Sequence, residues 1–73
     1  MSLFSARLKE LREGRRLYQK EMAEYLQMSV RGYQAYETGQ NEPNIRTLIA
    51  LADYFGVSID YLVGRTDERN ESR

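Results

Sequence analysis

Apolar residues recur along the chain in short helical stretches separated by turn formers. Phe4, Leu8 and Leu11 stand at helical intervals with charges between them, which predicts an amphipathic helix over residues 3–13. Gly14 and the Arg15-Arg16 pair then loosen the pattern. Met22, Ala23 and Leu26 share one face of a second, short helix over residues 19–26. Ser29 is a good N-cap for a third helix that runs to Thr38 and is stopped by Gly39. After the turn-rich run Gly39-Gln40-Asn41-Glu42-Pro43, Asn44 can cap a fourth helix over residues 45–55. Its inner stripe is Leu48, Leu51, Ala52 and Phe55, and Gly56 fits its stop. Ser58 caps a fifth helix of one to two turns, with Val57 placed to pack on Leu62 across the cap, and Gly64 ends it. No segment carries a strand pattern. The expected fold class is all-α: five short helices forming one domain over residues 1–64, then a polar, flexible tail over 65–73.

Seventy-three residues leave too little apolar surface for a second core. An apolar fraction of 41% is ample for one. The chain has no cysteine and no histidine, which removes disulfides, the common zinc sites and the usual nucleophile–base pairs. The remaining carboxylates and tyrosines form no evident catalytic cluster, so an enzyme is the weakest of the functional classes. No cofactor is implied. No stretch approaches the roughly 20 apolar residues of a membrane span, and the N-terminus lacks the apolar core of a signal peptide. A cytoplasmic location without membrane contact is therefore expected.

Formal net charge is zero, which taken alone argues against nucleic acid. Its distribution argues otherwise. Residues 1–20 hold six basic and two acidic side chains, whereas residues 47–64 hold only Asp53 and Asp60. One end of the molecule should be basic and the other acidic.

The most informative stretch runs from Gln19 to Arg31. Only Gln27, Met28 and the cap Ser29 separate the second and third helices, and so short a connection forces a steep exit. Projected at 100° per residue, Val30, Arg31, Gln34, Ala35 and Thr38 fall on one arc of the third helix about 140° wide. Tyr33, Tyr36 and Glu37 fall opposite, on a face suited to a core. Gly32 lies at the border, and a glycine there costs the helix about 1 kcal/mol relative to alanine. Close approach of another backbone is the expected reason. The slim, polar arc suits the major groove: Arg31 can reach guanine with two donors, Gln34 can pair with adenine, and Val30 and Ala35 can touch a thymine methyl. Arg15, Arg16 and Lys20 would add non-specific attraction to phosphate.

The run from Arg7 to Leu62 closely resembles the phage repressor/Cro (XRE) family of helix-turn-helix domains. The likeness rests on Arg7-Leu8-Lys9-Glu10-Leu11-Arg12, then Gln19, Ala23, Leu26, Ser29, Tyr36-Glu37 and Gly39, and continues through Pro43, Leu48, Leu51-Ala52, Phe55-Gly56-Val57-Ser58 and Asp60-Tyr61-Leu62. It implies a transcriptional regulator, of repressor type, that reads an inverted repeat of double-stranded DNA as a homodimer, with the fourth and fifth helices supplying the dimer contact. It implies that Val30, Arg31, Gln34 and Ala35 face bases, that Gln19 meets phosphate and the recognition helix, and that Ser29, Gln40 and Asn41 meet the DNA backbone. Thr38 and the Tyr33 hydroxyl are further phosphate candidates, although a tyrosine placed as Tyr33 is more often core. Arg12 and Glu37 match a partly buried ion pair. A sensor or oligomerisation domain beyond residue 73, or a separate regulatory protein, would be a further partner. The chain departs from the family at Tyr18, which cannot cap a helix through its ring. It departs again at Gln27, where glycine is common and a left-handed backbone would carry a cost, and near Arg16, where a glycine is common. A domain that kept this fold as a protein-interaction module is the rival reading.

Overall fold

The computed structural model describes residues 3–69, and five helices make up most of them. They are α1 (Leu3–Gly14), α2 (Gln19–Tyr25), α3 (Val30–Thr38), α4 (Ile45–Phe55) and α5 (Ile59–Leu62). No strand occurs among the described residues. Among the same residues no helix is long and apolar enough to cross a membrane.

Helix starts follow from local chemistry. The Ser29 hydroxyl accepts the Gly32 amide at 3.0 Å, Asn44 Oδ1 the Thr47 amide at 2.8 Å, and the Ser58 hydroxyl the Tyr61 amide at 2.9 Å. Each satisfies one of the donors that a helix start leaves without a partner. At α2 the Tyr18 ring makes no such bond. Instead the Glu21 carboxylate accepts the Tyr18 amide at 2.7 Å, so α2 begins from the acidic half of a capping box. Gly39 and Gly56 close α3 and α4 in left-handed conformations. Two non-glycine residues share that conformation, Arg16 and Gln27, both at φ 57°. Gln27 follows Leu26, where α2 has already stopped, one residue earlier than its apolar pattern suggests.

The core draws on every helix: Phe4, Leu8 and Leu11, then Met22 and Ala23, Tyr33 and Tyr36, Leu51, Ala52 and Phe55, and Tyr61 and Leu62. Leu8, Met22, Tyr33, Leu51 and Leu62 are wholly inaccessible. Full burial of one such aliphatic side chain stabilises by about 1.5–3 kcal/mol. α1 lies against both α3 and α5, and α2 against α3, so α1 is the spine on which the helical pair α2–α3 is mounted. Phe4 and Tyr36, and Tyr33 and Tyr36, meet edge to face with ring centres 6.4 and 6.3 Å apart. Gly32 departs from expectation. A Cβ there would meet Met28 Cε at 3.0 Å and Ser29 Oγ at 3.1 Å, so side chains of the turn crowd it, not a second backbone.

Residues 65–69 also differ from the expected free tail. Arg7 donates to the Tyr61 carbonyl, to the Thr66 carbonyl at 2.7 Å and to the Asp67 carboxylate at 2.7 Å. Its guanidinium lies 4.1 Å from the centre of the Tyr61 ring. The Ser58 amide donates to the Arg69 carbonyl at 2.8 Å. The segment therefore folds back on α1 and α5. Gly64 permits the reversal, with φ 89° and Leu3 Cδ2 only 2.5 Å from where a Cβ would stand. Residues 70–73 of the expected tail lie outside the described residues.

Candidate nucleic-acid interface

The α2–α3 corner is held from within. Met28 N–H donates to the Ala23 carbonyl at 2.9 Å and Gln27 N–H to the Glu24 carbonyl at 3.1 Å, wrapping the turn onto the end of α2. Met22 and Ala23 are buried, with Leu26 and Met28 packed against the core, and this fixes the angle at which α3 leaves. α3 then divides as its projection predicts. Tyr33, Tyr36 and Glu37 are buried. Arg31, Gln34 and Thr38 are exposed, Val30 is exposed, and Ala35 is half-buried.

The flanking candidates fall into three groups. Arg16, Lys20, Gln40 and Asn41 are exposed around this face. Ser29 and Thr38 are exposed but already engaged. The Ser29 oxygen accepts the Gly32 amide, and the Thr38 hydroxyl donates to the Ala35 carbonyl at 3.3 Å. A hydroxyl used as an acceptor still has its own proton to donate. Arg15 is drawn elsewhere: it donates to the Tyr54 carbonyl at 2.9 Å and sits over the rings of Tyr54 and Phe55 at the end of α4.

Tyr33 requires a correction. Its side chain is wholly inaccessible and its hydroxyl donates to Glu37, so it meets no phosphate. Its ring falls on the core face of α3, and only the reach of the hydroxyl towards the groove edge made it a phosphate candidate. The deciding fact is that its ring fills the centre of the core and its hydroxyl has a carboxylate to bind there.

Behind the exposed face lies a polar cluster on which the site depends. Arg12 Nε donates to Glu37 Oε2 at 2.7 Å and Arg12 Nη2 to Glu37 Oε1 at 3.1 Å, a two-pronged pair joining α1 to α3. Arg12 Nη1 reaches the Leu17 carbonyl at 2.7 Å, tying down the entry to α2. Gln19 Nε2 donates to Glu37 Oε1 at 3.1 Å, and Gln34 Nε2 donates to Gln19 Oε1 at 2.9 Å. Among the described residues no buried side-chain polar atom lacks a partner. The resemblance implied the ion pair. It also implied that Gln19 meets the recognition helix; what the structure adds is that the contact links Glu37 through Gln19 to Gln34.

Burial alone would raise the Glu37 carboxyl, but hydrogen bonds from Arg12, Tyr33 and Gln19 outweigh it and hold the group below the usual glutamate range. The Glu37 bond raises the Arg12 guanidinium, and burial pushes the Tyr33 hydroxyl far up. Below the ordinary glutamate value of 4.5 the unfolded chain therefore binds a proton that the native state resists. Stability should be intact above that value and fall as pH drops through the lower native value. Urea melts across this acid range test it, and equal midpoints throughout would contradict the assignment.

A helix-turn-helix family model matches residues 8–62, three quarters of the chain. The chain is 40% identical to the HTH-type transcriptional regulator YqaE of Bacillus subtilis over 92% of its own length and 59% of that protein's. It is also 40% identical to the cryptic phage CTXphi transcriptional repressor RstR of Vibrio cholerae, over 73% of its length and 49% of the repressor's. Among solved structures, a transcriptional regulator from Listeria innocua superposes with a TM-score of 0.83 at 36% identity, over 94% of this chain and 64% of that one. The chain thus spans about half to three fifths of the length of these curated relatives. Fold, corner geometry and sequence converge on one assignment: this chain belongs to the repressor/Cro (XRE) helix-turn-helix family.

Proposed function

We propose that this chain is the DNA-reading part of a cytoplasmic transcriptional regulator of repressor type, inserting α3 into the major groove of a double-stranded operator. The observation that carries the reading is the division of α3. One face is locked into the core by Tyr33, Tyr36 and Glu37, while Val30, Arg31, Gln34 and Thr38 face outward on a helix braced from behind. Ala35, half-buried, completes that face at its edge. Arg16, Gln19, Lys20, Ser29, Thr38, Gln40 and Asn41 would set register on the phosphates, and the α3 face would read bases. Two copies on an inverted repeat would place half-sites about one helical turn apart.

Selection from a random duplex pool, with affinity followed against salt, tests this. A palindromic consensus is expected. Arg31→Ala should relax it at one base pair per half-site, with discrimination there falling by about 1–3 kcal/mol. Salt-sensitive binding that enriches no sequence would instead favour the interaction module.

A further inference from the structure

α5 has four residues, and a helix that short has no stability of its own. Tyr61 and Leu62 hold its inner side in the core. Residues 65–69 hold its flank. The Arg65 amide donates to the Asp60 carbonyl at 2.7 Å and the Ser58 amide to the Arg69 carbonyl at 2.8 Å. The segment therefore runs back beside α5, from its last turn to its cap, as a strap. Arg7 fastens that strap from α1: its guanidinium binds one carbonyl of α5, then one carbonyl and one carboxylate of the strap. Only 12% of the Arg7 side chain is exposed. Five residues further along α1, Arg12 grips Glu37 of α3 in the same way. Two arginines on one helix thus fix the strap and α5 at one end and the groove-facing helix at the other.

Two copies on an inverted repeat select its spacing only if the surface where they meet is rigid relative to α3. A two-fold contact lays a patch against its own copy, so a charged patch must carry both signs. The first twenty residues, with six basic and two acidic side chains, would repel their own copy. Asp60, Arg65, Asp67, Glu68 and Arg69 are all exposed on α5 and the strap, and they mix the signs. We infer that the strap forms part of the surface through which two copies meet, and that Arg7 is the positioning residue that locks this surface relative to α3 and so makes the domain select half-site spacing. The inference rests on the paired, DNA-reading function above. It adds a role for residues 65–69 and names the side chain that enforces spacing.

The test measures binding of the whole chain to the selected inverted repeat and to the same repeat lengthened by about five base pairs, half a helical turn. The unaltered protein should prefer the shorter repeat by about tenfold, within the usual range for coupling between two sites. Arg7→Met keeps an apolar stem and removes the guanidinium. It should abolish the spacing preference and leave base discrimination at the Arg31 position unchanged. Gly64→Ala attacks the strap from its other end, because a Cβ there meets Leu3 and the backbone is left-handed. The same loss is expected, and this variant carries the test if Arg7→Met fails to fold. A consensus still read, with the spacing preference intact in both variants, would overturn the inference and leave the DNA-reading function standing. So would an unaltered protein indifferent to spacing. A pool that enriches nothing would overturn the DNA-reading function and this inference with it. The Ser58 amide reports the strap without DNA. Its hydrogen exchange should accelerate in Arg7→Met while the Tyr33 and Gln34 amides of α3 keep their protection. Acceleration shared equally by α3 would make Arg7 a general stabiliser and refute the lock.

Discussion

Glu37→Ala should cost about 3–5 kcal/mol of folding stability, because it strands the buried Arg12 guanidinium without its carboxylate. Domains of this size have roughly 4–10 kcal/mol in total, so the variant should sit at the edge of unfolding. The loss is not the value of the pair itself. Two buried charges give back most of their attraction as lost hydration, and the large penalty arises only when one is left alone. Replacing both Arg12 and Glu37 by methionine should therefore recover much of what the single variant loses. Urea denaturation of the three proteins decides it, and a Glu37→Ala midpoint close to that of the unaltered chain would refute the account. Arg12 also holds the Leu17 carbonyl, so the double variant should retain a residual deficit at the entry to α2.

Tyr33→Ala should be nearly as damaging, at about 3–5 kcal/mol, since it empties a wholly buried aromatic site. Tyr33→Phe keeps the ring and deletes only the hydroxyl that donates to Glu37. A hydrogen bond to a charged group contributes about 1.5–3 kcal/mol, so the phenylalanine variant should lose about that much. Its DNA binding should show the same salt dependence as the unaltered protein, because the hydroxyl lies inside. A shallower salt slope would return Tyr33 to the phosphate contacts and contradict its buried placement.

Helix positions were legible wherever local chemistry decides them. Ser29, Asn44 and Ser58 cap, Gly39 and Gly56 stop, and the stripe of α4 and the arc of α3 follow from 3.6-residue periodicity. The outward placement of Arg31, Gln34 and Val30 came from that periodicity alone. The sequence was silent where main-chain groups or amide orientation decide. Arg7 holds residues 61–67 through two carbonyls as well as one carboxylate, and every residue carries a carbonyl, so nothing marks these as partners. Arg15 is captured by the Tyr54 carbonyl for the same reason. Tyr33 was ambiguous because a tyrosine on the core face can keep its hydroxyl inside or carry it out to the groove edge. The choice depends on whether an acceptor waits inside, and Glu37 four residues on supplies it. Gln19 and Gln34 are fifteen residues apart, and only the corner between α2 and α3 brings their side chains together.

The left-handed backbone at Arg16 and Gln27 bears on how much room this domain has to change. An L-residue in that conformation costs about 1–2 kcal/mol, whereas glycine adopts it freely and gives back about 0.5–1 kcal/mol in chain entropy. The two positions bracket α2, so strain is concentrated at both ends of the helix that orients α3. Glycine at either site would relax the turn without touching the core or the exposed face of α3. The domain therefore carries a small reserve of stability at its corners, available to offset substitutions on α3 that change which operator it reads.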